Sequence, residues 1–327
     1  MPAHAATAVS CANIAFIKYW GNTDEALRLP ANASLSMNLA GVETETTVTF
    51  VDNLAADEVF IGGAAQSGTP YDRVVGNLDL IRERAGLRAF ARVESKNNFP
   101  AGAGIASSAS AFAALSVAGA AAAGLKLTEA ELSALARRGS GSAARSVPGG
   151  FVEWGPGQPG QPDSSFGVSI APPGYWDLVD VIAVISQKHK IVGSTGGHAL
   201  AGTSPLQAAR VGSVPDRLER CRAALLARDF DHFAEVVEAD SNIMHAVMMT
   251  SAPPLFYWEP ITLAIIKAVR RWRAEGLPVC YSIDAGPNVH CLCPGEHAAE
   301  VERRLRENLD ANRLLVARPG GPARLLG

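Results

Sequence analysis

Four short stretches carry residue types that chemistry uses and packing alone does not explain. In "CANIAFIKYWGN" the polar groups of Asn13, Lys18 and Tyr19 interrupt an apolar run, where an unpaired polar group is costly to bury. Lys18 reads either as a lysine snorkelling from a strand edge or as an ammonium held in a site. In "RRGSGSAARSVPGGFVEW" a Gly-Ser loop leads into a helical turn presenting Ser140, Ser142 and Arg145. A guanidinium grips a carboxylate through two parallel N–H donors and an ammonium does not, although a surface arginine on a linker would look the same. In "YSIDAGPNVHCLC" Asp284 follows a strand and precedes Ala-Gly-Pro-Asn. Its carboxylate either stabilises the turn or stands at the strand lip as a catalytic group.

The fourth stretch is "NNFPAGAGIASSASAFAAL", in which Gly102, Gly104, Ser107 and Ser108 fall just before and within the first turn of a small-residue helix. A helix N-terminus offers unpaired N–H groups and a positive dipole end, and glycines let a phosphate approach the backbone. Ser107 or Ser108 could add a hydroxyl donor or a Mg²⁺ ligand. The stretch misses the GxGxxG dinucleotide pattern at its last position, and no GxxxxGK[ST] occurs. A close-packed core helix remains the competing reading.

The elements that must position these groups alternate between the two periodicities. "ETTVTF" (45–50) and residues 57–61 read as strands, 71–87 as a helix ending at Gly86, and "FARVES" as a strand leading into the glycines. Thr128 with Glu131 three residues on predicts a capping box. The Gly- and Pro-rich run 155–175 reads as loop, and "WDLVDVIAVIS" as a buried strand. Helical patterns over 205–227, 229–249, 259–275 and 296–308 surround a strand–turn–strand at "PVCYSIDAGPNVHCLC". The order predicts an α+β chain of two domains with a cleft between them.

Composition narrows the function classes. With 327 residues, 48% hydrophobic, and a net charge of -3 with scattered basic residues, nothing favours a nucleic-acid surface. Five cysteines without CxxC spacing suit reduced thiols better than a disulfide frame or a zinc site. The one uncharged stretch long enough to span a membrane, 105–125, is built mostly of Ala, Ser and Gly, which insert weakly. Without a secretory leader the expected compartment is the cytoplasm.

Jointly, "NIAFIKYWG" (13–21), "LPANASLSMNL" (29–39), the glycine–serine stretch (97–115), "RRGSGSAARSVPGGFVEW" (137–154), "GSTGGH" with "TSP" (193–205), "DSNIMHA" (240–246) and "DAGPN" (284–288) resemble the diphosphomevalonate decarboxylase family, a branch of the GHMP small-molecule kinases. The resemblance implies a two-domain GHMP kinase fold: an N-terminal domain like ribosomal protein S5 domain 2, drawn here as 1–185, and a ferredoxin-like C-terminal domain, 186–327. It also implies a carboxy-lyase of isoprenoid biosynthesis. ATP with Mg²⁺ phosphorylates the tertiary 3-hydroxyl of a 5-phosphorylated mevalonate, and phosphate and CO₂ then depart.

By motif, the resemblance makes Asp284, Lys18 and Arg145 the catalytic residues. Asn13, Tyr19, Asn22, Ser140, Ser142, Arg145, Ser194 and Thr195 would bind substrate, and Gly102, Gly104, Ser107 and Ser108 the ATP phosphates. A homodimer is implied, with no nucleic-acid or membrane partner. One departure stands out: the family pattern is usually Tyr-Trp-Gly-Lys, and here the last position is Asn22. Losing that cation predicts a preference for mevalonate 5-phosphate over the 5-diphosphate, unless Lys188 or Lys190 restores the charge. His198, where relatives often carry Met, is a second change nearby. The alternatives are the 5-diphosphate decarboxylase and a GHMP kinase that phosphorylates without decarboxylating.

Overall fold

The computed structural model describes residues 4–99, 107–158, 160–186, 193–309 and 313–327. Gly102, Gly104, Lys188 and Lys190 lie outside the described residues. The first lobe is built from β1 (His4–Ile17), the hairpin β2 (Asn22–Asp24) and β3 (Leu29–Pro30), β4 (Ser34–Val51), β5 (Glu58–Ile61), β6 (Ala64–Ala65), α1 (Thr69–Ala85), β7 (Phe90–Asn97), α2 (Ser107–Ala122), α3 (Glu129–Gly139), β8 (Phe151–Trp154) and β9 (Gly167–Ala171). The second comprises β10 (Leu178–Ala183), α4 (Ser194–Leu200), α5 (Gln207–Gly212), α6 (Val214–Ala227), α7 (Phe230–Met249), α8 (Pro260–Ala274), β11 (Cys280–Ser282), β12 (Val289–Pro294), α9 (Ala298–Leu309) and β13 (Leu314–Ala317). The chain then returns to the first lobe as β14 (Arg324–Leu326), paired with β1.

β4 is the spine of the first sheet. β1 pairs along it antiparallel on one side, while β7 takes residues 44–51 and β8 residues 34–37 of the other. Its second half buries every other residue, Val42, Thr44, Thr46, Val48 and Phe50, the alternation expected of a strand with one covered face. Its first half is buried on both faces because the second lobe covers what α2 leaves open. Leu35, Met37 and Leu39 share a core with Leu218, Phe233 and Leu292. α2 has apolar or small residues all round and is buried almost throughout, as a helix without a polar face must be. The Thr128–Glu131 capping box is formed in full, and Gly86 caps α1 in the left-handed region at φ 62°.

The second sheet runs β11–β12–β10–β13, antiparallel throughout. Val179, Val181, Cys291 and Cys293 face α8 and α9 on one side. Leu178, Ile182 and Leu292 face α6, α7 and the first lobe on the other. Two covered faces explain the unbroken apolar run of β10.

Two expectations need adjustment. Within the Gly- and Pro-rich run, residues 167–171 form β9, because pairing with β8 overrides local turn chemistry. The drawn division at 185/186 leaves β10 with the first half, whereas β10 is hydrogen-bonded in the second sheet, and β14 closes the first sheet from the far end of the chain.

Candidate functional site

The segment that leaves β1 is held by its backbone, and that frees its side chains for the site. Asp240 on α7 accepts the Lys18 N–H at 2.7 Å while Arg217 donates to its other oxygen at 2.8 Å. The Lys18 carbonyl accepts from Arg210 at 2.6 Å and from Asn32 at 2.8 Å, and the Trp20 carbonyl from Gln207 at 2.8 Å. Gly21 then turns the chain at φ +92°, where a Cβ would lie 2.7 Å from the Gln207 amide nitrogen.

Held this way, Lys18 does not snorkel. It is 1% exposed, and its Nζ lies 2.6 Å from Asp284 Oδ1. Asp284 follows β11 and keeps 25% of its side chain exposed, so the carboxylate is paired on one side and open on the other. Burial works to raise its pKa, but the charges of Lys18, His290 and Arg145 and the Lys18 hydrogen bond outweigh it and leave Asp284 below the usual aspartate value.

Arg145 lies on the short 3₁₀ turn Gly141–Ser146, six residues long, and is buried rather than on a surface linker. Its Nη1 donates to Ser34 Oγ at 2.7 Å and its Nη2 to Asn13 Oδ1 at 3.2 Å. Asn13 in turn donates to Ser146 Oγ at 2.7 Å. The Arg145 Nε is buried without a partner. Burial lowers the guanidinium to about 10, which leaves it cationic at neutral pH. The turn can pass so close because Gly141 has no side chain: a Cβ there would lie 2.6 Å from the Tyr19 ring.

Ser140 and Ser142 face each other at 3.4 Å, and Ser140 also meets Ser108 of α2 at 3.1 Å. Ser107 and Ser108 line a cavity of about 190 Å³ together with Thr46, Ser95, Asn97 and Phe112. The hydroxyls of Ser108, Ser140 and Ser142 therefore lead from that cavity toward the Arg145 turn.

Tyr19 donates its hydroxyl to Asn22 Oδ1, and Asn22 donates to Glu25 at 2.8 Å. His198 on α4 stacks on Tyr19 and Trp20 at 4.1 and 4.6 Å, and its Nδ1 accepts the Gly21 N–H at 3.0 Å. Burial, then the charges of Arg28, Arg210 and Arg145, lower His198 to about 3, so the ring is neutral. Ser194 and Thr195 open the same helix and are exposed, a turn before His198.

Several groups here carried no sequence signal. Asp240 lay in the quoted "DSNIMHA" block with no role attached. Asn32 and Ser34 lay likewise in the quoted "LPANASLSMNL" block with no role attached, and Arg210 contributes by tertiary contact alone. So does a buried pair beneath Asp284, His290 Nδ1 to Asp180 Oδ2 at 2.6 Å, whose remaining polar atoms Nε2 and Oδ1 have no partner.

The likeness to known proteins follows the same layout. Residues 10–166 match the diphosphomevalonate decarboxylase-like N-terminal domain, and residues 180–316 the mevalonate 5-diphosphate decarboxylase C-terminal domain. The chain is 39% identical to the human diphosphomevalonate decarboxylase over 91% of this chain and 79% of that protein. It is 36% identical to the Ganoderma lucidum enzyme over 92% and 81%. Among solved structures, mevalonate diphosphate decarboxylase from Staphylococcus aureus superposes with a TM-score of 0.93 at 35% identity, covering 99% of this chain and 98% of that one. The Enterococcus faecalis enzyme gives 0.92 at 36%, with 98% of each chain covered. With both halves matched in order, and in the GHMP kinase fold of those structures, the chain belongs to the diphosphomevalonate decarboxylase family.

Proposed function

We propose that the chain catalyses the ATP-dependent decarboxylation of mevalonate 5-diphosphate to isopentenyl diphosphate, ADP, phosphate and CO₂. The observation that carries the proposal is the Lys18–Asp284 pair, open on the Asp284 side, in a site that also holds the buried guanidinium of Arg145. The relatives named above act as support, as does a solved structure described as MDDEF in complex with MVAPP, AMPPCP and magnesium, which has a TM-score of 0.93 at 37% identity over 98% of each chain.

In this reading Arg145 takes the substrate carboxylate. Its buried, unpartnered Nε is the donor an incoming acceptor would satisfy. Asn13 and Ser34 hold the guanidinium plane. The 3-hydroxyl lies against the open side of Asp284. Because Lys18 keeps that carboxylate ionised, it is a weak base, and its main task is to orient the hydroxyl. Lys18 offsets charge on the transferring phosphoryl group. Phosphorylation turns a poor leaving group into a good one, and the carboxylate electrons quench the positive charge left when phosphate departs. Ser140 and Ser142 contact the substrate's 5-substituent.

ATP occupies the cavity beside Ser107 and Ser108, with Gly102 and Gly104 assigned to its phosphates by motif. Among the described residues no group of three or more His, Cys, Asp or Glu side chains could cage a metal. That suits Mg²⁺, which keeps waters and travels with the nucleotide, needing only one or two protein oxygens such as the Ser107 or Ser108 hydroxyl. Bound there, it would neutralise phosphate charge.

A second reading, mevalonate 5-phosphate giving isopentenyl phosphate, is favoured by Asn22. An amide already shared between Tyr19 and Glu25 replaces a lysine. The relatives' names back the 5-diphosphate better than this expectation from the sequence. Turnover of purified protein on mevalonate and on its 5-phosphate, 5-diphosphate and 3,5-bisphosphate tests both. Preferred turnover of the 5-diphosphate is expected; a preference for the 5-phosphate would reverse the order, and no CO₂ from any would defeat both.

A further inference from the structure

Among the described residues, the phosphate end of the site is poor in charge. Asn22, Ser194 and Thr195 are neutral side chains, and His198 accepts a backbone N–H and is held unprotonated. A second cavity, of about 180 Å³, reaches the serine loop through Gly139 and is lined by Arg28, Arg73 and Arg138 with Asn77 and Leu80. None of its lining residues among those described is acidic.

Two of the three guanidiniums are tethered by backbone carbonyls, not carboxylates: Arg28 Nε donates to the Arg138 carbonyl at 2.9 Å, and Arg73 Nη2 to the Gly139 carbonyl at 2.8 Å. The Nε atoms of Arg73 and Arg138 are buried without a hydrogen-bond partner. Among the described residues no carboxylate pairs with any of the three within salt-bridge distance. Like charges gathered around a cavity repel one another unless an anion enters.

The position of Arg28 is specified at some cost. It ends the turn between β2 and β3 with φ 50°, a left-handed conformation unfavourable for an arginine, and Asp24 Oδ1 fixes that turn by accepting the Leu27 N–H at 2.8 Å. Asn22 stands on the paired strand of the same hairpin. Arg28 is the charge that acts most strongly on both the Tyr19 hydroxyl and the His198 ring, and Arg145 acts on both more weakly. Tyr19 is thus in the field of two cationic sites, and a substrate with a carboxylate at one end and phosphates at the other needs two.

We infer that Arg28, Arg73 and Arg138 receive the terminal phosphate of the substrate's 5-diphosphate, with Arg28 supplying the cation that Asn22 does not. The assignment rests on the proposed 5-diphosphate activity and adds the residues that distinguish it from the 5-phosphate.

The test measures KM and kcat on both substrates for the wild type, Arg28→Gln, Arg28→Lys and Asn22→Lys/Arg28→Gln, with melting temperatures to verify folding. A charge-assisted contact is worth about tenfold to hundredfold in affinity. Arg28→Gln is expected to raise KM for the 5-diphosphate by that factor and for the 5-phosphate less than about threefold. Arg28→Lys should lose less, and the double variant should recover most of the loss. Wild type that turns over the 5-diphosphate, with an Arg28→Gln loss equal on both substrates or absent, overturns the arginine assignment alone. Wild type that fails on the 5-diphosphate overturns the functional reading and this one together.

Discussion

Arg145, Lys18 and Asp284 are the three side chains whose loss should separate the steps of the reaction. Arg145→Ala removes the proposed carboxylate anchor, so CO₂ release should fall by at least about a hundredfold in kcat/KM, a fully desolvated charged contact being worth about 3 kcal/mol. Arg145→Lys should recover little, since an ammonium cannot reproduce the planar fork that now spans Ser34 and Asn13. Near wild-type decarboxylation by the alanine variant would sink the assignment. The pH dependence follows from the direction of the Asp284 shift. Its folded pKa lies below the ordinary value of about 4, so both its stabilising pairing with Lys18 and its proposed orienting role are complete above that value. They are lost only as the pH falls through the lower folded value. A pH–rate profile should therefore show no acid limb from this group between about pH 5 and 7; a limb in that range that disappears in Asp284→Asn would contradict it. The sequence singles out these three residues because each is a charge placed in an apolar or small-residue context, while the catalytic roles proposed for them come from the family resemblance. It does not single out their partners. Ser34 and Asp240 reach Arg145 and Lys18 by tertiary contact, and His290 and Asp180, 110 residues apart, meet only because β12 pairs with β10.

At the level of elements, close approach is the theme. The turn Gly141–Ser146 lies against the Tyr19 ring, so Gly141→Ala should cost about 1–3 kcal/mol by overpacking and shift Tyr19 away from Asn22. Urea denaturation reads the first effect and KM the second; an unchanged midpoint would show that the turn can give. The His290–Asp180 pair, 1% and 0% exposed, makes a contrasting prediction. Burial pushes Asp180 up, and breaking the pair by His290→Leu alone should cost about 3–5 kcal/mol. Replacing both partners, Asp180→Val with His290→Leu, should cost much less, and equal losses in single and double variants would argue against an interaction between them. The sequence showed most helices and strands of this scale to within a few residues, since periodicity and caps are local. It hid β9 because five residues with two Gly-Pro-rich flanks look like loop until β8 supplies the hydrogen bonds.

At the scale of the molecule, the two lobes are continuous. One core joins Ile14, Leu35 and Met37 of the first sheet to Phe233 of α7 and Leu292 of β12, and the chain crosses between lobes twice. The last segment closes the structure: Gly320 donates to the Asn38 carbonyl, the Gly150 N–H to Gly320, Ala323 to Val147, and β14 pairs with β1. Truncation after Ala317 should therefore lower the melting temperature of the whole chain and reduce activity, because residues 147–150 directly follow the turn that carries Arg145. Calorimetry should show one transition in the full chain; two well-separated transitions would show that the lobes unfold independently. The long-range return of β14 was invisible in the sequence, which records no partner for a three-residue strand.

The same continuity gives the cysteines a use. All five are buried, one on β1, one on α6 and three in the second sheet, and burial raises every thiol, Cys11 and Cys293 to about 12. In the folded chain burial and the raised pKa both disfavour presenting a thiolate to an alkylating reagent. Each therefore reacts mainly when its own neighbourhood opens. The order in which the five acquire label, resolved by mass, becomes a clock for which part of the molecule loosens first, and the change in that order when nucleotide or substrate is added reports which lobe each ligand holds shut.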